Sequence, residues 1–497
     1  MVPVLLMIKV IFNVSGPMKK IFIPFFVSAI AVTTFISCAK ETPSVFDNEE
    51  KQAEVKDVTN DVHIITDKSI ETKTFLADDG ASGYISKWHD SDQIGLFQIY
   101  EKAGATEYAD KVLSSATSLS DSDQKADFTV ALTDVDGGSN YKYVAVYPAS
   151  AATRNSGDLD LVIPATQTFG TTSFDKDADI LVSERVDRAA YSSDALQMGF
   201  ARVGTIVKLT LKGLKVGETV SKVTLSTTEE DKYLAGTVKY DIAGKSLKSG
   251  ITSGSQTLTL NAPSSTVVPA GGNLTVWFRC AEVELTEDLT VTVKTTNFEY
   301  FKTIDLASAG KTINFQSGRL ATFSVGSMNA VLYSESFGST TTNTEISDYT
   351  GWSWTGTLRP SGTWRISKNN LTDTYISTDK YEGASGLSHL FSGSSDYSAT
   401  IVFGDVSAYT NVQLTFGWAN NAGKNKDRTM KVEVSSNGGS DWSSITYTTS
   451  ANAKTNDGFH LATYNLTDAN KANFAVRFTN TASHTSRIDD VKLVGSF

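Results

Sequence analysis

The thiol of Cys38 is the side chain whose surroundings most clearly indicate covalent chemistry. A short basic start at Met18-Lys19-Lys20 precedes an apolar stretch at 21–36, and the small residue Ser37 stands directly before the cysteine. A basic start, an apolar stretch and a small residue at the cleavage site are the parts of a secretory signal. Because a cysteine follows that site, we expect Cys38 to become the lipid-modified first residue of the mature protein.

The alternative is a membrane-spanning helix at the same place. Thr33, Thr34 and Ser37 interrupt the apolar stretch, which falls short of the roughly 20 apolar residues that a spanning helix needs. Met18 is the predicted true start, because such a signal does not need the separate apolar run at 2–14. The sequence therefore predicts a lipoprotein signal peptide at 1–38, a disordered tether at 39–60, and a bacterial lipid anchor. Acidic residues soon after Cys38 resemble the export signal of Bacteroidetes surface lipoproteins, and this resemblance implies a place in the outer membrane with the protein exposed at the cell surface.

Four aromatic residues form a second candidate site. Trp352 and Trp354 lie in a loop-like segment with Thr, Ser and Gly, where no strand pattern requires them in a core. Together with Tyr375 and Tyr381 they are candidates for an aromatic platform that stacks on the sugar rings of a glycan. The alternative is core packing, since a large aromatic ring buries about 150–250 Å².

A search for catalytic patterns is mostly negative. The sequence has no nucleophile elbow and no phosphate-binding glycine loop. Asp489 and Asp490 are adjacent on a predicted strand, so they are expected to point to opposite faces and not to act on one bond. The histidines are scattered, without the spacing of metal ligands: His63, His89, His389, His460 and His484. We therefore expect no enzymatic activity.

The composition is typical of a large secreted β protein, with 40% hydrophobic residues, 20% charged residues and 36 glycines. A net charge of −11 argues against nucleic acid or anionic lipid headgroups as partners, because both would be repelled. Once Cys38 is lipidated, only Cys280 remains, so no intramolecular disulfide can form. Cys280 is predicted to be a buried strand residue.

Strands with period-two alternation follow one another from about 61 to 325. In one segment Val207, Leu209 and Leu211 alternate with polar residues, and the same pattern returns at 289–294. Each such segment predicts a strand with one buried face and one solvent-exposed face. Turn clusters such as 136–140 separate these segments at the spacing of a β-sandwich.

Several short segments in this part of the chain carry a family resemblance. They are Trp88–Phe97, Tyr143–Pro148, Ile163–Gln167, Asp179–Val182, Leu196–Phe200 and Phe315–Arg319. In their order and spacing they resemble the fimbrillins of Bacteroidetes, which are the major and minor fimbrial subunits and their lipoprotein relatives.

The resemblance implies two tandem transthyretin-like β-sandwiches, a first region at 61–200 and a second region at 201–326. It also implies association with fimbrial subunits by strand exchange, in which a neighbour's strand fills a groove through backbone hydrogen bonds. This chain departs from a stalk subunit in two respects. No arginine for proteolytic processing lies between Cys38 and Arg154, and a further region follows where a stalk subunit would keep a free donor strand.

That further C-terminal region, 331–497, differs in character and holds five of the seven tryptophans. Its opening and closing segments, 332–337 and 486–493, resemble the jelly-roll domains of adhesins and carbohydrate-binding modules. The resemblance implies that Glu335 and one of Asp489 or Asp490 ligate a structural calcium, because the first and last strands of such a domain are neighbours. The alternative is that these carboxylates only solvate strand ends, and no other cofactor is expected.

Two functions remain open. In the first, the chain is a fimbrial tip or accessory subunit, an adhesin whose C-terminal jelly roll contacts a glycan or protein on another surface. In the second, it is a monomeric surface glycan-binding lipoprotein of a polysaccharide-uptake system. The predicted fold class is the same for both: all-β, with two tandem transthyretin-like β-sandwiches followed by a jelly-roll β-sandwich.

Overall fold

The computed structural model describes residues 63–66, 75–78, 84–120, 123, 125–192, 194–248, 250–251, 253–338, 343–349, 357–361, 364–367, 389–392, 397–420, 430–449, 459–480 and 486–497. Within these ranges, no helix has the length and apolar character needed to cross a membrane.

The first region consists of short strands and two 3-10 helices, Ala149–Ala151 and Lys176–Ala178. Its strands are β1 (His63–Thr66), β2 (Phe75–Asp78), β3 (Tyr84–Lys87), β4 (Gln93–Lys102), β5 (Ala105–Tyr108), β6 (Val112–Ser120), β7 (Lys125–Val130), β8 (Gly138–Tyr147), β9 (Ala152–Asn155), β10 (Asp158–Ile163), β11 (Thr166–Thr168), β12 (Leu181–Ser183), β13 (Val186–Arg188), β14 (Ala195–Gln197) and β15 (Phe200–Arg202). Its main sheet has the order β14-β1-β7-β6-β4-β8-β12-β15.

The second region contains one short helix, α1 (Leu306–Ala309), capped by the Asp305 side chain and closed by Gly310 with φ of 59°. Its strands are β16 (Thr205–Leu211), β17 (Val220–Thr227), β18 (Ala235–Asp241), β19 (Ser246–Leu247), β20 (Gly254–Ser255), β21 (Thr257–Asn261), β22 (Leu274–Cys280), β23 (Val283–Leu285), β24 (Leu289–Thr295), β25 (Glu299–Ile304), β26 (Ile313–Phe315) and β27 (Leu320–Val325).

The C-terminal region adds the 3-10 helices Ile346–Asp348 and Asp468–Asn470. Its strands are β28 (Asn329–Glu335), β29 (Thr344–Glu345), β30 (Thr357–Ser361), β31 (Trp364–Ser367), β32 (His389–Ser392), β33 (Ser398–Gly404), β34 (Thr410–Asn420), β35 (Lys431–Ser435), β36 (Ser443–Ser444), β37 (Thr448–Thr449), β38 (His460–Asn465), β39 (Phe474–Thr479) and β40 (Ser486–Ser496). One of its sheets has the order β30-β33-β39-β35-β36.

The predicted all-β class is confirmed, and burial explains why some strands alternate while others do not. In β16 the odd-numbered Val207, Leu209 and Leu211 are fully buried and the intervening residues are half-buried. In β4, by contrast, Ile94 packs into one apolar cluster and Phe97 into another. A strand between two cores must be apolar on both faces, so its sequence is nearly continuous in apolar residues.

Strand pairing crosses the predicted boundary between the first and second regions. Strand β10 pairs with β18 along its whole length, from Asp158 opposite Asp241 to Ile163 opposite Gly236. Strand β11 pairs in parallel with β21. Residues 152–168 therefore share sheets with the second region, and the domain bounds given above stay a prediction.

A long sheet joins the second and C-terminal regions, because β28 pairs with β25 on one edge and with β40 on the other. The C-terminal region has its own apolar cluster, in which Trp418 and Leu414 are buried. The predicted burial of Cys280, which lies on β22, is confirmed.

Candidate functional site

Three charged residues from separate strands and loops meet in a buried cluster, the Asp179 junction, formed by Asp179, Arg202 and Arg279. All three side chains are at most 5% exposed. The Arg202 Nε donates to both Asp179 oxygens at 3.0 and 3.2 Å, and its Nη2 donates to Oδ2 at 3.1 Å. The Arg279 Nε lies 3.2 Å from Asp179 Oδ1. One carboxylate therefore faces two guanidinium groups.

Further contacts hold Arg279, which comes from β22 in the second region. Its Nη2 donates to the carbonyl oxygens of Val203 and Gly204 at 2.9 and 3.2 Å. The Gln167 side chain accepts from the Arg279 backbone N–H at 2.9 Å and donates to its carbonyl at 2.8 Å. Burial lowers the pKa of Arg279 to about 10, against the opposing effect of Asp179, so the group stays protonated at neutral pH.

Gly204 and Thr205 hold the segment 315–319 beside the Asp179 junction. The Gly204 N–H donates to Ser317 Oγ at 3.1 Å, and Thr205 Oγ1 donates to the Gln316 carbonyl at 2.8 Å. With φ of +77°, a Cβ at Gly204 would clash with the Cys280 carbonyl. Three of the family-like segments thus converge on the Asp179 junction, where their polar residues hold strands together.

Two other family-like segments also contact each other. Asp92 accepts from the Tyr147 hydroxyl at 3.0 Å through Oδ1 and from the His89 N–H at 2.7 Å through Oδ2. The Trp88 ring packs edge-on against Tyr147 and Phe128, with centroid distances of 5.5 and 5.3 Å. These residues, too, join strands in the first region.

The structure brings together two of the three residues expected to ligate calcium. Glu335 is fully buried, and its Oε1 accepts from the Phe337 N–H at 2.6 Å. Asp489 is 5% exposed. Burial, followed by the charges of Asp490 and Glu335, raises the pKa of Asp489 to about 9. Two carboxylates that share a buried place need a proton or a cation to offset their repulsion.

Asp490, the third residue, sits in a bulge of β40. Gly417 pairs with Asp489 but Thr415 pairs with Lys492, so β40 carries one extra residue there. Asp490 has φ of +46° and donates its N–H to Asp489 Oδ1 at 2.8 Å. Because a bulge interrupts the alternation of faces, adjacency in sequence does not fix where these two side chains point.

Carboxylate oxygens are suitable ligands for calcium, because a calcium ion takes six to eight oxygen ligands. Among the described residues, however, no group of three or more acidic, histidine or cysteine side chains is arranged to hold a metal ion. Glu335 and Asp489 therefore supply two donors, and the calcium site stays a prediction. The aromatic platform of Trp352, Trp354, Tyr375 and Tyr381 lies outside the described residues, as does Cys38; both also stay predictions.

The Gly-rich segment 435–442 forms a tight turn. Asn437 Oδ1 accepts from the backbone N–H groups of Ser440 and Asp441, both at 3.0 Å. The Trp442 ring is covered by the Arg477 guanidinium, 4.3 Å from its centroid, and Arg477 pairs with Glu433 at 2.7 Å. Trp442 thus packs on its own domain. This stack could not be predicted from local sequence, because Trp442 and Arg477 lie far apart in the chain.

Two buried carboxylates close loops in the second region. Glu229 accepts from the Thr286 N–H and hydroxyl at 2.8 Å each, and from the Glu287 N–H at 3.1 Å. Glu218 does the same for Asn297, whose backbone and side-chain N–H groups lie 3.0 and 2.9 Å away. Both carboxylates are engaged in holding backbone.

The class that the fold and these clusters define is an all-β protein whose buried charges tie strands together. No family model and no curated protein matches the chain. Among solved structures, a candidate cell adhesion protein from Bacteroides uniformis is 14% identical, covering 54% of this chain and 92% of that chain, with a TM-score of 0.32.

Two further structures are similar at the same level. A fimbrial protein from Bacteroides vulgatus is 12% identical, covering 47% of this chain and 88% of that chain, with a TM-score of 0.26. The fimbrial anchor protein of Porphyromonas gingivalis is 12% identical, covering 50% and 83%, with a TM-score of 0.25.

Proposed function

We propose that this chain is a lipid-anchored, fimbrillin-like surface protein of the outer membrane. In this proposal it acts as a fimbrial tip or accessory subunit, an adhesin without enzymatic activity, and its C-terminal region contacts the ligand. The observation that supports the tip or accessory position is the pairing of β40, the last strand, on both of its edges.

Strand β40 is enclosed within its own chain. On one edge it pairs with β34 from Ser486 to Ser496. On the other edge its residues 486–488 pair with β32 and its residues 491–495 pair with β28. Ile488, Val491 and Leu493 are fully buried, and each such side chain contributes about 1.5–3 kcal/mol by burial.

A stalk subunit must give a strand to its neighbour's groove. Removing β40 for this purpose would expose those apolar side chains and open the ladders on both edges. We therefore infer that β40 does not serve as a donor strand, which favours a position at the end of a fimbria or beside it.

The incorporation into a fimbria is tested by a denaturing gel of outer-membrane fractions, loaded unboiled and boiled and blotted with an antibody to the C-terminal region. Strand-exchanged polymers resist detergent until they are heated, so a ladder that collapses on boiling supports a fimbrial position. A single band at the monomer mass under both conditions overturns it and leaves the monomeric surface lipoprotein.

The adhesive ligand is tested on a broad glycan array with the wild-type chain and the Trp352→Ala/Trp354→Ala variant. Binding that is lost in the double variant supports the aromatic platform as a glycan site. Trp442→Ala is the control, because that ring packs against Arg477, and it should bind like wild type. Wild-type binding to no glycan overturns the platform and leaves a protein ligand.

A further inference from the structure

The connection between the second and C-terminal regions is short and is anchored by a buried residue. Residues 326–328 link β27 to β28, and within them Met328 is fully buried and donates its N–H to the Lys212 carbonyl at 2.9 Å. Flexible linkers between domains are exposed and make few contacts. This connection is only three residues long and is fixed at Met328.

The backbone of β28 belongs to both regions at once. Ala330 pairs with Tyr300 of β25 on one edge and with Gly495 of β40 on the other. Val331 likewise pairs with Glu299 and Val494. Separating the regions would therefore break a ladder in the middle of a continuous sheet.

Aromatic side chains cover this seam on one face of the sheet. The Phe497 ring lies 5.2 Å from Phe298 of the second region and 4.9 Å from Tyr409 of the C-terminal region, measured between centroids. The Lys215 Nζ lies 5.0 Å from the Phe298 centroid and 5.9 Å from that of Phe497. One ring thus contacts both regions, and a cation–π contact ties it to the loop at 215.

The other face carries a separate contact across the seam. The Nζ of Lys492 on β40 lies 4.2 Å from the ring centroid of Phe301 on β25. Burial lowers the pKa of Lys492, against the opposing charge of Glu299. Gly495 of β40 lies close to Tyr409, since a Cβ added at Gly495 would come within 3.0 Å of the Tyr409 Cβ. The packing of Tyr409 against β40 therefore depends on glycine at position 495.

We propose that this seam makes the second and C-terminal regions one cooperative unit, with the C-terminal region held in a single orientation. Opening either region would expose the paired edge and the aromatic surface of the other, so the two share the free energy of opening. The proposal rests on the pairing of β28 and not on the proposed function. It holds whether the ligand of the C-terminal region is a glycan or a protein.

The test is hydrogen–deuterium exchange of the full chain, wild type and Val476→Ala. Val476 is fully buried on β39, in a sheet that does not include β25 or β28. The variant should accelerate exchange in the C-terminal region roughly tenfold or more by loss of core packing. In one cooperative unit, amides of β24 and β25 accelerate by the same factor. Acceleration confined to the C-terminal region overturns the proposal.

A second comparison tests the side chains of the seam. Adding Phe497→Ala and Lys492→Ala to Val476→Ala should weaken the coupling, so that exchange in β24 falls behind exchange in β34. Phe403→Ala is the matched control, because that ring packs within the C-terminal region, 4.8 Å from Tyr333 and 5.2 Å from Phe474. It should leave the two rates equal. If the seam variant also leaves them equal, Phe497 and Lys492 do not carry the coupling.

Discussion

Asp179 is a single carboxylate that faces two buried cations, Arg202 and Arg279. Asp179→Asn leaves both guanidinium groups buried without an anion, and breaking a buried ion pair in this way costs about 3–5 kcal/mol. We expect the free energy of unfolding in urea at pH 7 to fall by that amount. Asp187→Asn removes a partly exposed partner of Arg185 and should cost less than about 1 kcal/mol. Equal losses would contradict the role of Asp179.

Glu229 gives the stability of the second region a pH dependence. Burial alone would raise the pKa of Glu229, but hydrogen bonds from Thr286 and Glu287 outweigh it, and the pKa lies below its ordinary value. For a lowered folded pKa, the stabilisation is complete above the unfolded pKa of about 4.3 and is lost as the pH falls through the folded pKa.

We therefore expect Glu229→Gln to cost about 1 kcal/mol at pH 7, and the difference from wild type to shrink toward pH 3. Urea unfolding at a series of pH values measures this difference. Glu230→Gln, at the exposed neighbouring position, is the control and should follow wild type throughout. A loss in Glu229→Gln that is constant with pH would rule out a contribution from the carboxylate charge.

Glu335 and Asp489 provide the test of calcium binding. If a calcium ion offsets their charges, the melting temperature should rise when calcium replaces a chelator, because a ligand that binds only the folded state stabilises it. Glu335→Gln should abolish most of this rise. Glu345→Gln, at an exposed position, should retain it. The same melting temperature for the wild type with calcium and with chelator would exclude the site.

At the scale of elements, the turn at 435–442 depends on two consecutive glycines. Gly438 has φ of +72° with open space around it, whereas Gly439 has φ of +98° and a Cβ there would lie 3.1 Å from Trp442. Gly438→Ala should therefore cost about 1 kcal/mol from backbone strain alone. Gly439→Ala should cost more, because it also pushes against the Trp442–Arg477 stack. Thermal unfolding compares the two, and equal losses would mean that the stack adds nothing.

Some strands of the second region could be predicted individually because they have one buried face. The alternation predicted from Val207 to Leu211 and over 289–294 matches the alternation of buried and less buried positions in β16 and β24. The pairing partners could not be predicted this way. Alternation fixes which face of a strand is buried, but it does not identify the neighbour, so the pairing of β10 with β18 came only from the structure.

For the whole molecule, the proposed attachment to the membrane makes a prediction about Cys38. Acyl chains contribute about 0.8 kcal/mol per buried methylene, so the wild-type protein should partition into the detergent phase of a Triton X-114 extraction. Cys38→Ser should move it to the aqueous phase. Cys280→Ser changes a thiol that is buried on β22 and should leave the partition unchanged. Detergent-phase recovery of Cys38→Ser would contradict lipidation at this residue.

Local sequence determined what depends on short-range chemistry. The all-β class follows from residue types at close spacing and is confirmed. The lipidation signal at Cys38 and the lack of an intramolecular disulfide follow from the same kind of pattern and stay predictions. The burial of Cys280 was predicted as well, and Trp418 is in phase with the buried Leu414 and Phe416 on β34, since period two on a strand places every second side chain on the same face.

The tertiary structure alone decided which distant residues meet. The Asp179 junction joins residues 179, 202 and 279, and the seam at β28 joins residues 300, 330 and 495. Contacts of this kind depend on how strands pair across long intervals of chain, and no periodicity within one strand encodes its partner. A sequence pattern shows that a residue is buried or charged, but only the assembled sheets show which group offsets that charge.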